Sequence, residues 1–305
     1  MGNVRANGID IEYETFGSAT DPTLLLVNGF TSQLIGWDER FCQMLAERGR
    51  YVIRYDNRDV GLSTHFDGQG VDIPAIFRAR KGEGSMPAVP YTLHDMAADG
   101  IGLLDALGID SAHIAGMSMG GMIVQTMAID HPTKVRSMTS IMSHTGENDY
   151  GRSTKEANAA LMSAPPLERA AYITHTVTNG RLWSSPRYYD EGAAGARAGA
   201  SYDRMFYLEG SPRQMAAIMS VGDRADGLRA LDTPTLVIHG RADTLITPSG
   251  GERTAELVPG ANLLMLADMG HDLPEPLWPL LVDAVVGITE IAERQRVAAV
   301  APGVN

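Results

Sequence analysis

The 305-residue chain has a single cysteine, Cys42. That excludes an internal disulfide and a cysteine-based metal site, and it leaves Cys42 as a core-packing residue. Long apolar runs are also missing: none reaches the ~18 to 20 residues that a membrane span needs. The opening residues Met1 to Gly8 hold no apolar stretch of the signal-peptide kind, and Ala6 stands where a myristoylation signal prefers Ser or Thr. Base is in deficit, with 25 Lys and Arg against 37 Asp and Glu and a net charge of −12. Nucleic acid and anionic membranes attract basic surfaces, so neither is expected as a partner. A cytoplasmic location is the expectation from these absences. His65, His94, His113, His131, His144, His175 and His239 show no metal-ligand spacing, and no metal or other cofactor is expected. Internal repeats and low-complexity tracts are absent too.

What is present is organised around residues 112 to 125. A short apolar run ends in Gly116 and changes to helical composition after Gly120, which predicts a strand, a sharp turn and a helix with Ser118 at the apex. Gly116-Met117-Ser118-Met119-Gly120 is a G-x-S-x-G nucleophile elbow. A Cβ at Gly116 or Gly120 would crowd the neighbouring strand and helix, and the serine hydroxyl would stand at a helix N-terminus beside unpartnered N–H groups. The motif requires an acid and then a histidine downstream. Asp243 follows the apolar run Thr235 to His239, and His271 follows the run Asn262 to Leu266.

Before the elbow, residues 2 to 16 read as a hairpin turned at Asn7-Gly8, and Thr23 to Val27 as a strand buried on both faces. Trp37 to Arg48 reads as a helix and Tyr51 to Tyr55 as a strand. Asp56, Arg58 and Asp59 then crowd one turn, where carboxylates and a guanidinium are expected to pin the loop by mutual hydrogen bonds. Residues 65 to 90, rich in Gly and Pro, read as a long irregular loop bordering the site. Thr92 and Asp95 form a capping box, with Tyr91 and Met96 as its staple, for a helix that Gly108 stops.

After a strand at Val135 to Ile141 the alternation of strand and helix breaks. Residues 145 to 228 read as a helical cap inserted in a core of residues 1 to 144 and 229 to 297, with 298 to 305 a frayed tail. Trimming that cap is expected to change chain-length preference more than reactivity. His144, at a strand exit beside the cap, is the remaining histidine placed to line a pocket. A closing helix is expected near Pro274, Pro276 and Pro279.

With Asn28-Gly29-Phe30, Asp56 to Ser63, Gly116 to Gly120, Gly240 to Pro248 and Gly270-His271 in this order, the chain resembles the α/β-hydrolases over about residues 5 to 295. It is similar within them to the bacterial lipase and esterase branch that includes aclacinomycin methylesterase. The resemblance implies a mostly parallel eight-stranded sheet with helices on both faces and an inserted cap. It implies a Ser118, Asp243, His271 triad with the backbone N–H groups of Phe30 and Met119 as oxyanion hole, although Asn28 stands where many relatives have His. The implied activity is hydrolysis of small to medium, largely apolar carboxylic esters through an acyl-enzyme on Ser118. A cofactor-free haloperoxidase or perhydrolase on the same triad is the alternative, as is a slow-turnover ligand receptor. Dehalogenases and epoxide hydrolases of this fold use an aspartate nucleophile, which Ser118 excludes. Among Asp243, Asp268 and Asp272, the order of the motif favours Asp243 as the acid.

Overall fold

The computed structural model, which describes residues 1–300 and side chains through Ala298, begins with the expected hairpin. Strands β1 (Gly2–Ala6) and β2 (Ile9–Phe16) pair antiparallel. Asn7 and Gly8 between them have φ of 47° and 78°, as a two-residue turn matched to strand twist requires. In β3 (Thr23–Val27) every residue is buried. Leu24 and Leu26 join one apolar cluster, while Leu25 and Val27 join the other. That two-residue alternation between two cores is the mark of a strand covered by helices on both faces.

Helix α1 (Glu39–Glu47) starts at Asp38, whose side chain accepts from the Arg40 N–H, and leads to β4 (Tyr51–Tyr55). The segment expected to be irregular contains a helix, α2 (Ile73–Arg80), capped by Asp72 accepting from the Ala75 N–H at 2.9 Å, with proline in its first turn. Next, α3 (Leu93–Ala106) carries the predicted capping box at Thr92 and Asp95, and Tyr91 and Met96 pack in one cluster. Strand β5 (Ala112–Met117) leads through Ser118 to α4 (Met119–Asp130), followed by β6 (Val135–Ile141).

Five helices then intervene: α5 (Lys155–Leu161), α6 (Arg169–Gly180), α7 (Glu191–Arg204), α8 (Gly210–Ser220) and α9 (Ala225–Arg229). The alternation resumes with β7 (Thr235–Gly240), α10 (Ser249–Leu257), β8 (Asn262–Leu266) and α11 (Trp278–Val300). Helix α11 takes Pro279 in its first turn and continues into residues 298 to 300 of the expected tail. The remaining tail residues, 301 to 305, lie outside the described residues.

The sheet has eight strands in the order β1-β2-β4-β3-β5-β6-β7-β8, with β2 antiparallel to both neighbours and all pairs from β4 to β8 parallel. On one face lie Phe41 and Leu45 of α1 with Trp278, Leu281 and Val285 of α11; on the other lie Leu103 and Leu104 of α3 with Ile123 and Met127 of α4. Cys42 packs in the first of these cores, where burial pushes its thiol up to about 12. Strand β8, though apolar from Leu263 to Leu266, forms the sheet edge, and Leu263 is 42% exposed. No helix among the described residues is long and apolar enough to cross a membrane.

Candidate active site

Ser118 sits between the end of β5 and the first turn of α4 with φ 56° and ψ −120°, a conformation that is strained for a residue with a side chain. The surrounding backbone holds it there. Its N–H donates to Ile141 O at 2.9 Å, and its carbonyl accepts from Ser143 Oγ at 2.8 Å. The elbow is tight enough to demand its glycines. A Cβ on Gly116 would lie 2.1 Å from Gly120 O, and one on Gly120 would lie 2.2 Å from Val27 O.

The β3 exit closes on the serine from the other side. A Cβ on Gly29 would stand 3.2 Å from Ser118 Cβ. Phe30 follows and packs against the core shared by α3 and α4. Among the described residues neither the Phe30 N–H nor the Met119 N–H donates to a protein acceptor. For Met119 this follows from its place as first residue of α4.

Asp243 and His271 meet because the two strand exits touch. A Cβ on Gly240 would lie 2.1 Å from Met269 O, and the Ala242 N–H donates to the same carbonyl at 3.0 Å. His271 Nδ1 is 2.7 Å from Asp243 Oδ2. The other oxygen, Oδ1, accepts the N–H groups of Leu245 and Ile246 at 2.8 and 2.9 Å. Burial raises the Asp243 pKa, but the neighbouring His271, with His239 beside it, outweighs it and holds the carboxyl below its ordinary value. As ionised Asp243 can only accept, His271 Nδ1 carries the proton of this contact, and in the neutral ring that tautomer leaves Nε2 as the acceptor. No hydrogen bond joins Ser118 Oγ to His271 among the described residues.

The two other carboxylates are engaged elsewhere. Asp268 pairs with Arg187 at 3.1 Å on the surface, and Asp272 accepts from the Ser185 N–H at 3.0 Å. His144 spends its Nδ1 on the Gly146 N–H at 2.9 Å, and burial, with Arg224 and Arg80 nearby, pushes its ring down to about 3. His239 is fully buried, donates to Ile246 O at 2.8 Å, and lies 3.5 Å from Asp243 Oδ2.

The charged turn after β4 corrects an expectation. Asp56, Arg58 and Asp59 do pin the chain, but not by bonding one another: backbone N–H groups nearby and charged or polar partners from remote segments hold them. Arg58 forks onto Asp99 of α3, with both contacts at 2.6 Å. Asp56 accepts from the Leu34 and Leu62 N–H groups and from Arg204 at the end of α7. Asp59 takes Arg213 of α8 at 2.8 and 2.9 Å and the Tyr91 hydroxyl at 2.6 Å.

Arg204 and Arg213 were not foreseen, nor were three further residues between β6 and β7. Gln214 of α8 accepts from the Thr31 N–H and donates to Arg58 O, both at 2.8 Å. In the α6–α7 connection, Trp183 O accepts from the His271 N–H at 2.6 Å, and Ser185 Oγ accepts from the Gly270 N–H at 3.0 Å. These groups are polar residues or backbone atoms on surface-like segments. Their partners lie roughly 80 to 180 residues away, so no local pattern marks them.

The profile of the family described as "alpha/beta hydrolase fold" matches residues 22–275. The chain belongs to this family. Among curated hydrolases, it is 26% identical over 308 residues to the rhodomycin D methylesterase DauP of Streptomyces sp. (strain C5), covering 92% of this chain and 94% of that protein. It is 26% identical over 266 residues to the 3-oxoadipate enol-lactonase 2 of Acinetobacter baylyi, covering 86% of each. The fold is also that of the meta-cleavage product hydrolase CumD of Pseudomonas fluorescens IP01, with a TM-score of 0.76 at 21% identity, covering 96% of this chain and 98% of that one. The eight-stranded α/β-hydrolase architecture expected from the motifs is thus borne out.

Proposed function

We propose that this protein is a serine esterase acting on carboxylic esters of small to medium, largely apolar molecules, with methyl esters the first class to assay. The observation that carries the reading is the 2.7 Å contact of His271 Nδ1 with Asp243, whose second oxygen is already occupied by two backbone N–H groups. A histidine held this way is oriented and kept in the tautomer that leaves Nε2 free to accept a proton.

A serine hydroxyl is a weak nucleophile near neutral pH. In the proposed reaction Ser118 Oγ attacks the ester carbonyl carbon while His271 Nε2 takes its proton. The carbonyl oxygen gains the negative charge and is met by the N–H groups of Phe30 and Met119; losing one such donor typically costs about 2.7 to 4 kcal/mol. When the tetrahedral adduct collapses, the C–O bond to the alcohol breaks, and His271 gives its proton to the departing oxygen. Water then attacks the acyl-enzyme with His271 again as base, and the acid leaves as Ser118 regains its proton. Asp243 stays ionised throughout and stabilises the imidazolium.

Helices α5 to α9 act as the cap of this site, inserted in a core of residues 1 to 144 and 229 to 297. Hydrogen bonds tie this segment to the strand exits: Gln214 to Thr31, Arg213 to Asp59, Leu182 to Thr244 and Trp183 to His271. Trimming the cap is therefore expected to lower turnover of acetyl esters as well as to change chain-length preference. The likeness to DauP over nearly the whole of both chains supports methyl esters. The single cysteine, which needs no oxidising compartment, supports a cytoplasmic setting.

The test is a panel of p-nitrophenyl esters of increasing chain length beside methyl esters and lactones, followed in single-turnover and steady-state regimes. Rapid multiple turnover on esters supports the reading. Tight binding with negligible turnover contradicts it and favours a receptor.

A further inference from the structure

The loop after β3 holds Thr31 at φ 56°. The Ser32 N–H donates to Gly29 O at 3.2 Å, so residues 29 to 32 form a tight turn with Thr31 as its third residue. A positive φ there is the place of glycine, and a β-branched residue is strained in it. Strain of this kind persists only where the surroundings over-determine it. Here one side chain supplies a restraint from outside the turn. Gln214, fully buried on α8, accepts the Thr31 N–H at Oε1 and donates from Nε2 to Arg58 O, both at 2.8 Å.

We infer that Gln214 is a positioning residue for the oxyanion hole, holding the turn so that the Phe30 N–H faces the oxygen that develops on an ester bonded to Ser118. This rests on the esterase reading above. The Thr31 N–H belongs to the peptide that follows Phe30. Fixing that peptide sets the rotation about the Phe30 Cα–C bond and leaves the preceding N–H pointing one way. The other face of the turn is closed by Gly29 against Ser118. Gln214 does not touch substrate.

The seating of α8 makes the contact dependable. Arg213 beside it forks onto Asp59, and a Cβ on Gly210 would lie 2.0 Å from Asp59 O, so the start of α8 is pressed onto the loop after β4. One end of the Gln214 amide is therefore tied to that loop and the other to the turn. An oxyanion donor is thus set from a helix some 180 residues away in the chain.

The experiment compares Gln214→Met and wild type in three readouts: kcat and KM on a p-nitrophenyl ester, affinity for an aryl trifluoromethyl ketone, and affinity for the matching methyl ketone. The first ketone adds to a serine as an oxyanion-bearing adduct, whereas the second binds without that charge. Loss of a whole donor costs about 10²- to 10³-fold in kcat, and a misdirected donor is expected to cost about 10- to 100-fold. KM and methyl ketone affinity should stay within about threefold, and trifluoromethyl ketone affinity should fall in step with kcat. In Gln214→Met with Thr31→Gly, glycine relieves the strain and part of the loss should return. A Gln214→Met enzyme with unchanged kcat and ketone affinities overturns the inference, as does an equal loss of both ketone affinities. Should Gln214→Met not fold, Gln214→Glu keeps the acceptor for Thr31 without the donor to Arg58, and its ratio of ketone affinities should stay within about threefold of wild type. A ratio depressed tenfold or more overturns the inference by assigning the effect to the Arg58 link. Ser118→Ala separates the two readings: if it retains activity the esterase reading itself fails, and if it is inactive an unaffected Gln214→Met sinks only this inference.

Discussion

Replacing Asp243 with asparagine tests the carboxylate assignment where Asp243, Asp268 and Asp272 compete. Asp243 is 2% exposed and accepts three hydrogen bonds at 2.7 to 2.9 Å, two of them from the backbone. An asparagine keeps the backbone pair by turning its carbonyl to Leu245 and Ile246, which points its NH₂ at His271 Nδ1. Two donors cannot face each other, so the proton moves to Nε2, where the ring can no longer accept one from Ser118. The expected loss in kcat is about 10³- to 10⁴-fold, or about 4 to 5.5 kcal/mol at 1.36 kcal/mol per decade. The assay is steady-state hydrolysis of a p-nitrophenyl ester, with circular dichroism melting to confirm that the variant folds. Asp268→Asn removes only an exposed ion pair with Arg187 and should stay within about twofold, since such pairs contribute little. Asp272→Asn loosens the acceptor of Ser185 and should cost about tenfold. If Asp243→Asn keeps activity within a few-fold of wild type while either of the others collapses, the reasoning about the acid is refuted.

Arg213→Met leaves Asp59 buried with only the Tyr91 hydroxyl and the Phe66 N–H. An unpaired buried charge typically costs about 3 to 5 kcal/mol, so urea denaturation should show a loss of that size, partly restored by Asp59→Asn. A single variant as stable as wild type would mean that the pair does not anchor α8. His113 is fully buried against Ser137, and the Glu293 oxygen 3.2 Å from its Nε2 is shared with Arg136. Burial, with Arg136, Arg50 and Arg296 nearby, pushes its ring down to about 3. Between that value and the unfolded value near 6.5, only the unfolded chain binds the proton. Stability should therefore fall as pH drops below 6.5, by about 1.4 kcal/mol per pH unit from this group. His113→Gln should flatten the slope by that amount between pH 6.5 and 5, and an unchanged slope would show that His113 is not the group responsible.

Sequence reading succeeded where one local signal decides the structure. Thr23 to Val27 is apolar at every position because both faces are covered, and Gly116 and Gly120 are dictated by backbone approach distances. The three strand exits that carry Ser118, Asp243 and His271 were legible as apolar runs ending in turns. Reading failed where the deciding partner is distant. Residues 73 to 80 form α2, which Gly- and Pro-rich flanks concealed. Its Ile76 is buried against Ala216 and Met219 of α8, so tertiary packing supplies what periodicity did not. The run Asn262 to Leu266 is apolar like a buried strand, yet it forms the edge of the sheet. Asp56 and Asp59 were recognisable as loop anchors, but nothing near them in sequence points to Arg204 or Arg213. Gln214 is one polar residue on a helix of mixed character, and only the fold shows that it reaches the Thr31 turn.

The most direct test of the central claim is covalent trapping of Ser118. Treatment with a fluorophosphonate, followed by intact-mass measurement and peptide mapping, should give one adduct per chain on the peptide containing Ser118. Ester turnover should be lost in the same proportion, because the proposed mechanism makes this hydroxyl the nucleophile that His271 deprotonates. Folded Ser118→Ala should neither label nor turn over esters. A label on another residue, or a Ser118→Ala protein that melts like wild type and still hydrolyses esters at the wild-type rate, would contradict the account.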